Sequence, residues 1–202
     1  MKDIILASAS KRRSQILTSC GITHIVVPSK VKELVRGDRH VSETVLKNAE
    51  KKAEAVASSS GPAVVIGADT LVAHGEDIIG KPKDEGEARM ILSKFSGGDI
   101  EVYTGICVID VETGKRASGT DCSEVRVEAL DEKKVEKYFS LLGPYDKAGG
   151  FSIEGVGSMI FDDIKGSYFN ILGLSMIKLK ELFSEASLDI LDFVDPSLAV
   201  QD

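Results

Sequence analysis

Histidine, cysteine and positive charge are all scarce in this chain. It has 3 His and 3 Cys in 202 residues, and 25 Lys and Arg against 32 Asp and Glu. Cys20, Cys107 and Cys122 are far apart and odd in number, and no CxxC or Cys/His spacing accompanies them. That argues against both a zinc framework and a disulfide scaffold, and fits a reducing compartment. Cys20 and Cys107 stand among apolar neighbours and read as core residues. His24, His40 and His74 lack partner spacing and read as incidental. With a net charge of −7 the chain lacks the wide basic surface that nucleic acid or an anionic membrane needs. No apolar run is long enough to span a bilayer, and the short run Ile4–Ala7 is followed by cations instead of preceded by them. A cytoplasmic protein with no membrane and no nucleic-acid partner is the expectation. The phosphate loop GxxxxGK[ST] is also missing, which disfavours an ordinary ATPase or GTPase. There is no internal repeat.

What is present is ordinary globular material, 43% hydrophobic and 28% charged, enough for one large domain or two small lobes. Residues 4–13, Ile-Ile-Leu-Ala-Ser-Ala-Ser-Lys-Arg-Arg, read as a strand, a small-residue turn and a helix start. Thr23–Val27 reads as a second strand closed by Pro28, and residues 29–41 as a charged, turn-like stretch. Ser42 has the character of an N-cap, and Val45, Ala49, Ala53 and Val56 lay an apolar stripe along the helix that follows. Ser58-Ser59-Ser60-Gly61-Pro62 breaks that helix. Ala63–Ile66 is a buried-strand run that ends in Gly67-Ala68-Asp69-Thr70. Leu71–Ala73 and Asp77–Ile79 then suggest a hairpin, and Asp84 a cap for a helix over about 85–95. Strands are expected within 101–111 and 119–129, and helices over 131–142 and 174–183. From Glu185 the chain is acidic with scattered leucines, either docked or frayed. The pattern predicts a mixed α/β fold: an elongated central sheet flanked by helices, with two lobes around a cleft near residue 100.

The groups able to do chemistry gather at the ends of these elements. Ser8, Ser10, Lys11, Arg12 and Arg13 surround a helix start, whose free N–H groups and dipole suit a phosphate. Arg12 and Arg13 could equally be solvated charges, and Lys51 and Lys52 ordinary surface lysines. Asp69, next to Thr70, could cap a turn, but a carboxylate beyond a buried strand is also where a metal or a base belongs. Lys81 sits in a tight Gly80-Lys81-Pro82 loop. Glu33 in its polar loop and Glu154 beside Gly155 carry no signal alone. Open α/β sheets bind ligands beyond the carboxyl ends of their strands, so the groups after the first and third strands should converge. Cations, hydroxyls and a few carboxylates without a nucleophile–base pair favour metal-assisted attack on a phosphoanhydride over covalent catalysis.

Six stretches, in order, resemble the Maf family of nucleoside triphosphate pyrophosphatases, whose fold is similar to that of the inosine triphosphatases. They are Leu6-Ala7-Ser8-Ala9-Ser10-Lys11-Arg12-Arg13, Val65-Ile66-Gly67-Ala68-Asp69-Thr70, Gly80-Lys81-Pro82, Tyr103-Thr104-Gly105, Asp146-Lys147-Ala148-Gly149-Gly150 and Gly166-Ser167-Tyr168-Phe169-Asn170. The resemblance implies a domain over residues 1–184 with a nucleotide cleft, followed by an acidic tail over 185–202. It implies hydrolysis between the α- and β-phosphates of a nucleotide, a divalent cation (Mg²⁺ or Mn²⁺), and the possibility of a homodimer. By position it makes Asp69 the proton acceptor. Ser8, Ser10, Arg12, Arg13, Lys52, Thr70, Lys81 and Glu154 become substrate-binding positions, and Glu33 joins Asp69 at the metal.

Two departures stand out. Lys11 replaces a usual proline. Of the three positions that separate the branches of the family, Arg12 and Thr70 match the one acting on dTTP and UTP, whereas Glu154 matches the one acting on 7-methyl-GTP. Two against one, the resemblance implies dTTP and UTP, with 7-methyl-GTP as the alternative. A nucleotide-binding regulator of cell division with little turnover is the non-enzymatic alternative.

Overall fold

The computed structural model describes residues 2–34, 40–75, 77–80, 82–141 and 152–198. Lys81 and the Asp146–Gly150 stretch lie outside the described residues. The chain opens with β1 (Asp3–Leu6) and α1 (Lys11–Ser19), then β2 (Ile25–Val26), α2 (Val41–Ala57), β3 (Ala63–His74), β4 (Asp77–Ile79) and α3 (Glu85–Phe95). The second half contributes β5 (Asp99–Asp110), β6 (Arg116–Val127), α4 (Glu132–Leu141), β7 (Phe161–Lys165), α5 (Tyr168–Leu172) and α6 (Met176–Glu185). These strands form one seven-stranded mixed sheet in the order β2-β1-β3-β5-β6-β7, with β4 paired to β3 off that path. Helices flank it, as the apolar pattern predicted.

One sequence expectation needs correction, and it decides where the site lies. The strand at Ala63 does not end at Gly67. It runs unbroken through Asp69 and Thr70 to His74, because antiparallel pairing with β5 continues from Val64↔Asp110 to Ala73↔Glu101. The other edge of β3 is shared. Parallel β1 covers Ala63 to Ile66, and antiparallel β4 covers Val72 to His74. Between the two, residues 67–71 carry no ladder partner on that edge among the described residues. The chain leaving β1 turns away at this gap, where the Ala7 N–H still donates to the Ile66 carbonyl at 2.8 Å. A binding cleft opens where neighbouring strands part, as in other open sheets.

Alternation along β3 then sends successive side chains to opposite faces. Val64, Ile66 and Ala68 pack with Leu6, Leu17, Ile106, Leu179 and Phe183 on the face covered by α1 and α6. Ala63 and Val65 pack with Ala49, Ala53 and Cys107 beneath α2. Past the gap, Val72, Phe95, Ile100, Val102 and Val125 form a separate cluster. Ala88, Leu92, Val135 and Phe139 close it off between α3 and α4. The break between apolar clusters falls at Asp69 and Thr70.

α2 lies unusually close to the sheet. A Cβ on Gly67 would sit 2.3 Å from the Ala49 carbonyl oxygen, and one on Gly105 would sit 2.4 Å from that of Val45. The helix begins at Val41, earlier than expected. His40, not Ser42, caps it through Nδ1, which accepts the Ser42 N–H at 3.3 Å. Asp84 caps α3 as predicted. Beyond α6, the residues at 190–193 are docked: Ile190 and Phe193 are buried in the main cluster, and Val194 bridges to Ile22. Cys107 is buried, which pushes its thiol up to about 12, so it is an inert core residue. Among the described residues no helix is long and apolar enough to cross a membrane.

Candidate active site

Asp69 and Thr70, adjacent on β3 at the gap, face opposite sides of the sheet and anchor two different clusters. On the α2 side, the i, i+3, i+4 repeat that buries Val45, Ala49, Ala53 and Val56 also brings Asn48 and Lys52 inward. Lys52 Nζ donates to Asp69 Oδ1 at 2.7 Å, pairs with Glu33 Oε1 at 2.6 Å, and reaches the Ala68 carbonyl at 3.4 Å. Asn48 Nδ2 donates to Asp69 Oδ2 at 2.8 Å. Both carboxylate oxygens of Asp69 are thus held, and the residue is only 6% exposed. Lys51, next in sequence, faces solvent.

On the α1 side Arg13, 8% exposed, is the hub. Its Nε donates to the Gly173 carbonyl at 2.7 Å, Nη1 to Ser8 Oγ at 2.9 Å and Nη2 to Thr70 Oγ1 at 2.8 Å. Burial pushes the guanidinium below its ordinary value, and the charges of Asp69 and Glu33 oppose that fall. Gly173 ends α5 at φ +110°, a left-handed conformation that suits glycine and turns its carbonyl toward Arg13. Thr70 Oγ1 also meets Thr104 Oγ1 at 3.0 Å, so its hydroxyl is committed inside the protein. Ser8 Oγ accepts a second bond, from the Ser10 N–H at 3.3 Å. With both lone pairs occupied, the Ser8 hydroxyl keeps one function, donation.

A cavity of about 660 Å³ joins the two clusters. Its walls include Ser8, Ser10, Lys11, Arg12, Arg13, Glu33, Lys52, Asp69, Thr70 and Gly173. Ser10 caps α1, so the free N–H groups of that helix end open beside the cavity. Arg12 turns to the rim, where its Nη2 pairs with Glu154 Oε2 at 2.9 Å and donates to Ser152 Oγ at 3.2 Å. One wall is therefore cationic. Another wall holds two carboxylates, Glu33 and Asp69, both paired with Lys52.

A protein-family model described as "Maf-like protein" matches residues 3–186. The chain belongs to the Maf-like family. A dTTP/UTP pyrophosphatase from Aquifex aeolicus is 42% identical over 185 residues, covering 92% of this chain and 96% of that one. A dTTP/UTP pyrophosphatase from Desulforamulus reducens is 40% identical over 181 residues, covering 90% and 95%. Among solved structures, a HAM1 protein from Coxiella burnetii overlays with a TM-score of 0.44 at 13% identity, covering 63% of this chain and 73% of that one.

Of the sequence-predicted positions, Ser8, Ser10, Arg12, Arg13, Glu33, Lys52, Asp69 and Thr70 line one cavity in this Maf-like chain, and Glu154 joins them through Arg12. Lys81 lies outside the described residues. Asn48 was missed. The available signal was a polar residue within the buried stripe of α2, one helical turn before Lys52. The Gly173 carbonyl was missed too, since backbone acceptors carry no sequence mark.

Proposed function

We propose that this protein is a nucleoside triphosphate pyrophosphatase that cleaves the α–β phosphoanhydride of dTTP, UTP and related nucleotides. The observation that carries the reading is Asp69. It is a buried carboxylate, held by Lys52 and Asn48, on the acidic side of a cavity whose far wall offers Arg13, Ser8 and the start of α1. Triphosphate oxygens fit the cationic wall, where the Ser8 O–H and the helix N–H groups donate to them. Each Asp69 oxygen retains a lone pair beyond the bond it already accepts, so the carboxylate can take a proton from water. That water attacks the α-phosphorus, the bond from α-phosphorus to the bridging oxygen breaks, and pyrophosphate departs with the electron pair. Lys52, beside Asp69, compensates negative charge as it grows.

The donor set also fits a divalent cation. Glu33 and Asp69 both pair with Lys52, which sets two hard carboxylate donors side by side at the cavity. Among the described residues no group of three or more His, Cys, Asp or Glu forms a metal cluster, so phosphate and water oxygens would complete the coordination, as is usual for Mg²⁺. When bound, such an ion supplies charge neutralisation at the phosphates.

The test is a panel of canonical and modified nucleoside triphosphates, with Mg²⁺ and with Mn²⁺, assayed for pyrophosphate. Pyrophosphate as first product, and a loss of roughly 10²–10⁴-fold in kcat for Asp69→Asn, are expected. Orthophosphate as first product would refute the cleavage position. Binding without turnover would favour the regulatory reading.

A further inference from the structure

Asn48 is 1% exposed, and every hydrogen-bonding group of its amide is engaged. Its Oδ1 accepts the Leu34 N–H at 2.7 Å, while Nδ2 donates to the Leu34 carbonyl at 3.1 Å and to Asp69 Oδ2 at 2.8 Å. This arrangement has only one workable sense. The Leu34 N–H requires an oxygen, and the Asp69 carboxylate requires a donor, so the backbone of residue 34 dictates which end of the amide meets Asp69. A reversed amide would set oxygen against carboxylate and nitrogen against N–H.

Leu34 directly follows Glu33, whose carboxylate reaches the other partner of Asp69, Lys52. One peptide segment therefore touches Asp69 by two routes: through Asn48 to Oδ2, and through Glu33 and Lys52 to Oδ1. We infer that Asn48 is a positioning residue: its amide, oriented by Leu34, holds the Asp69 carboxylate in its reactive orientation and ties it to the segment that carries Glu33. The inference rests on the proposed role of Asp69 and adds a residue outside the six stretches that carry the family resemblance.

Three variants test it. Asn48→Ala removes all three bonds. Asn48→Asp is isosteric and keeps the acceptor for Leu34, but sets a second carboxylate against Asp69. It replaces the donor to Oδ2 by an acceptor while leaving the bond from the Leu34 N–H in place, so kcat falls with KM little changed. The third, Asn48→Ala combined with Asp69→Asn, asks whether Asn48 acts through Asp69. The expected result is a fall in kcat of about tenfold or more for Asn48→Ala, with KM changed less than about threefold. The double variant then loses no more than Asp69→Asn alone.

If Asn48→Ala does not fold, as judged by circular dichroism, the kcat and KM of the isosteric Asn48→Asp decide. Wild-type kcat in Asn48→Ala or in Asn48→Asp, or a full additional loss in the double variant, would overturn the inference. A wild-type protein that releases no pyrophosphate would instead sink the reaction on which the inference stands.

Discussion

Arg13 is valuable here for its shape more than for its charge. It reaches three acceptors on three separate segments, Gly173, Ser8 and Thr70, from inside the protein. A lysine would retain the charge, but its point-like ammonium cannot span that fork. Arg13→Lys should therefore leave the Gly173 carbonyl or the Thr70 hydroxyl without its donor, costing about 1–3 kcal/mol of stability. It should also lower kcat/KM roughly tenfold to a hundredfold, about 1.4–3 kcal/mol at the transition state. Denaturant unfolding and pyrophosphate release measure the two. A variant equal to wild type in both would show that the fork is dispensable. Residue type and motif pointed to Arg13 and Asp69, whereas Lys52 entered only through its position in the family resemblance. That Thr70 spends its hydroxyl on Arg13 could not be read there, because its partners lie up to 103 positions away along the chain.

Among the elements, α2 and β3 set the site's precision. Asn48 and Lys52 reach Asp69 only because α2 rides directly on the sheet, and that approach depends on two glycines on neighbouring strands, Gly67 paired with Cys107 and Gly105 paired with Asp69. Replacing Gly105 by Ala sets a methyl group against the helix backbone at Val45, where no side chain can swing aside. An overpacking cost of about 1–3 kcal/mol is expected, with α2 displaced. The displacement should lower kcat as well as the melting temperature, since Lys52 and Asn48 move with the helix. Asn48→Ala crossed with Gly105→Ala would then show less than additive loss in kcat. A destabilised protein with unchanged kcat would mean that the helix yields elsewhere. The apolar stripe of α2 was plain in the sequence, but the closeness of its approach was not. A glycine in a strand pattern has several causes, and only the facing helix identifies this one.

At the scale of the whole molecule, contacts between distant segments close the architecture. Asp110 at the end of β5 receives Lys2 Nζ at 2.8 Å and Thr113 Oγ1 at 2.7 Å, which ties the start of the chain to the β5–β6 turn. Burial alone would raise this carboxyl, but the bonds from Lys2 and Thr113 outweigh it and hold the group below its ordinary value. A depressed folded-state value stabilises the protein above the unfolded carboxyl range, about 3.9, and that contribution is lost as pH falls through the folded value. Asp110→Asn should thus lower the melting temperature at neutral pH and flatten its acid dependence. Parallel melting curves for both proteins from pH 7 down to pH 3 would contradict the assignment.

Sequence alone determined the local terms: which stretches alternate at strand period, which turn at helix period, where breakers fall, and which polar residues accompany them. Those are near-neighbour properties, set by backbone sterics and side-chain spacing within a few residues. Tertiary structure decided that β3 continues past Gly67, that β1 and β4 leave a gap on one of its edges, and that Asn48 locks onto Asp69. Each of these depends on a ladder, a helix approach or an amide orientation supplied by a remote segment, and short-range spacing contains no record of it.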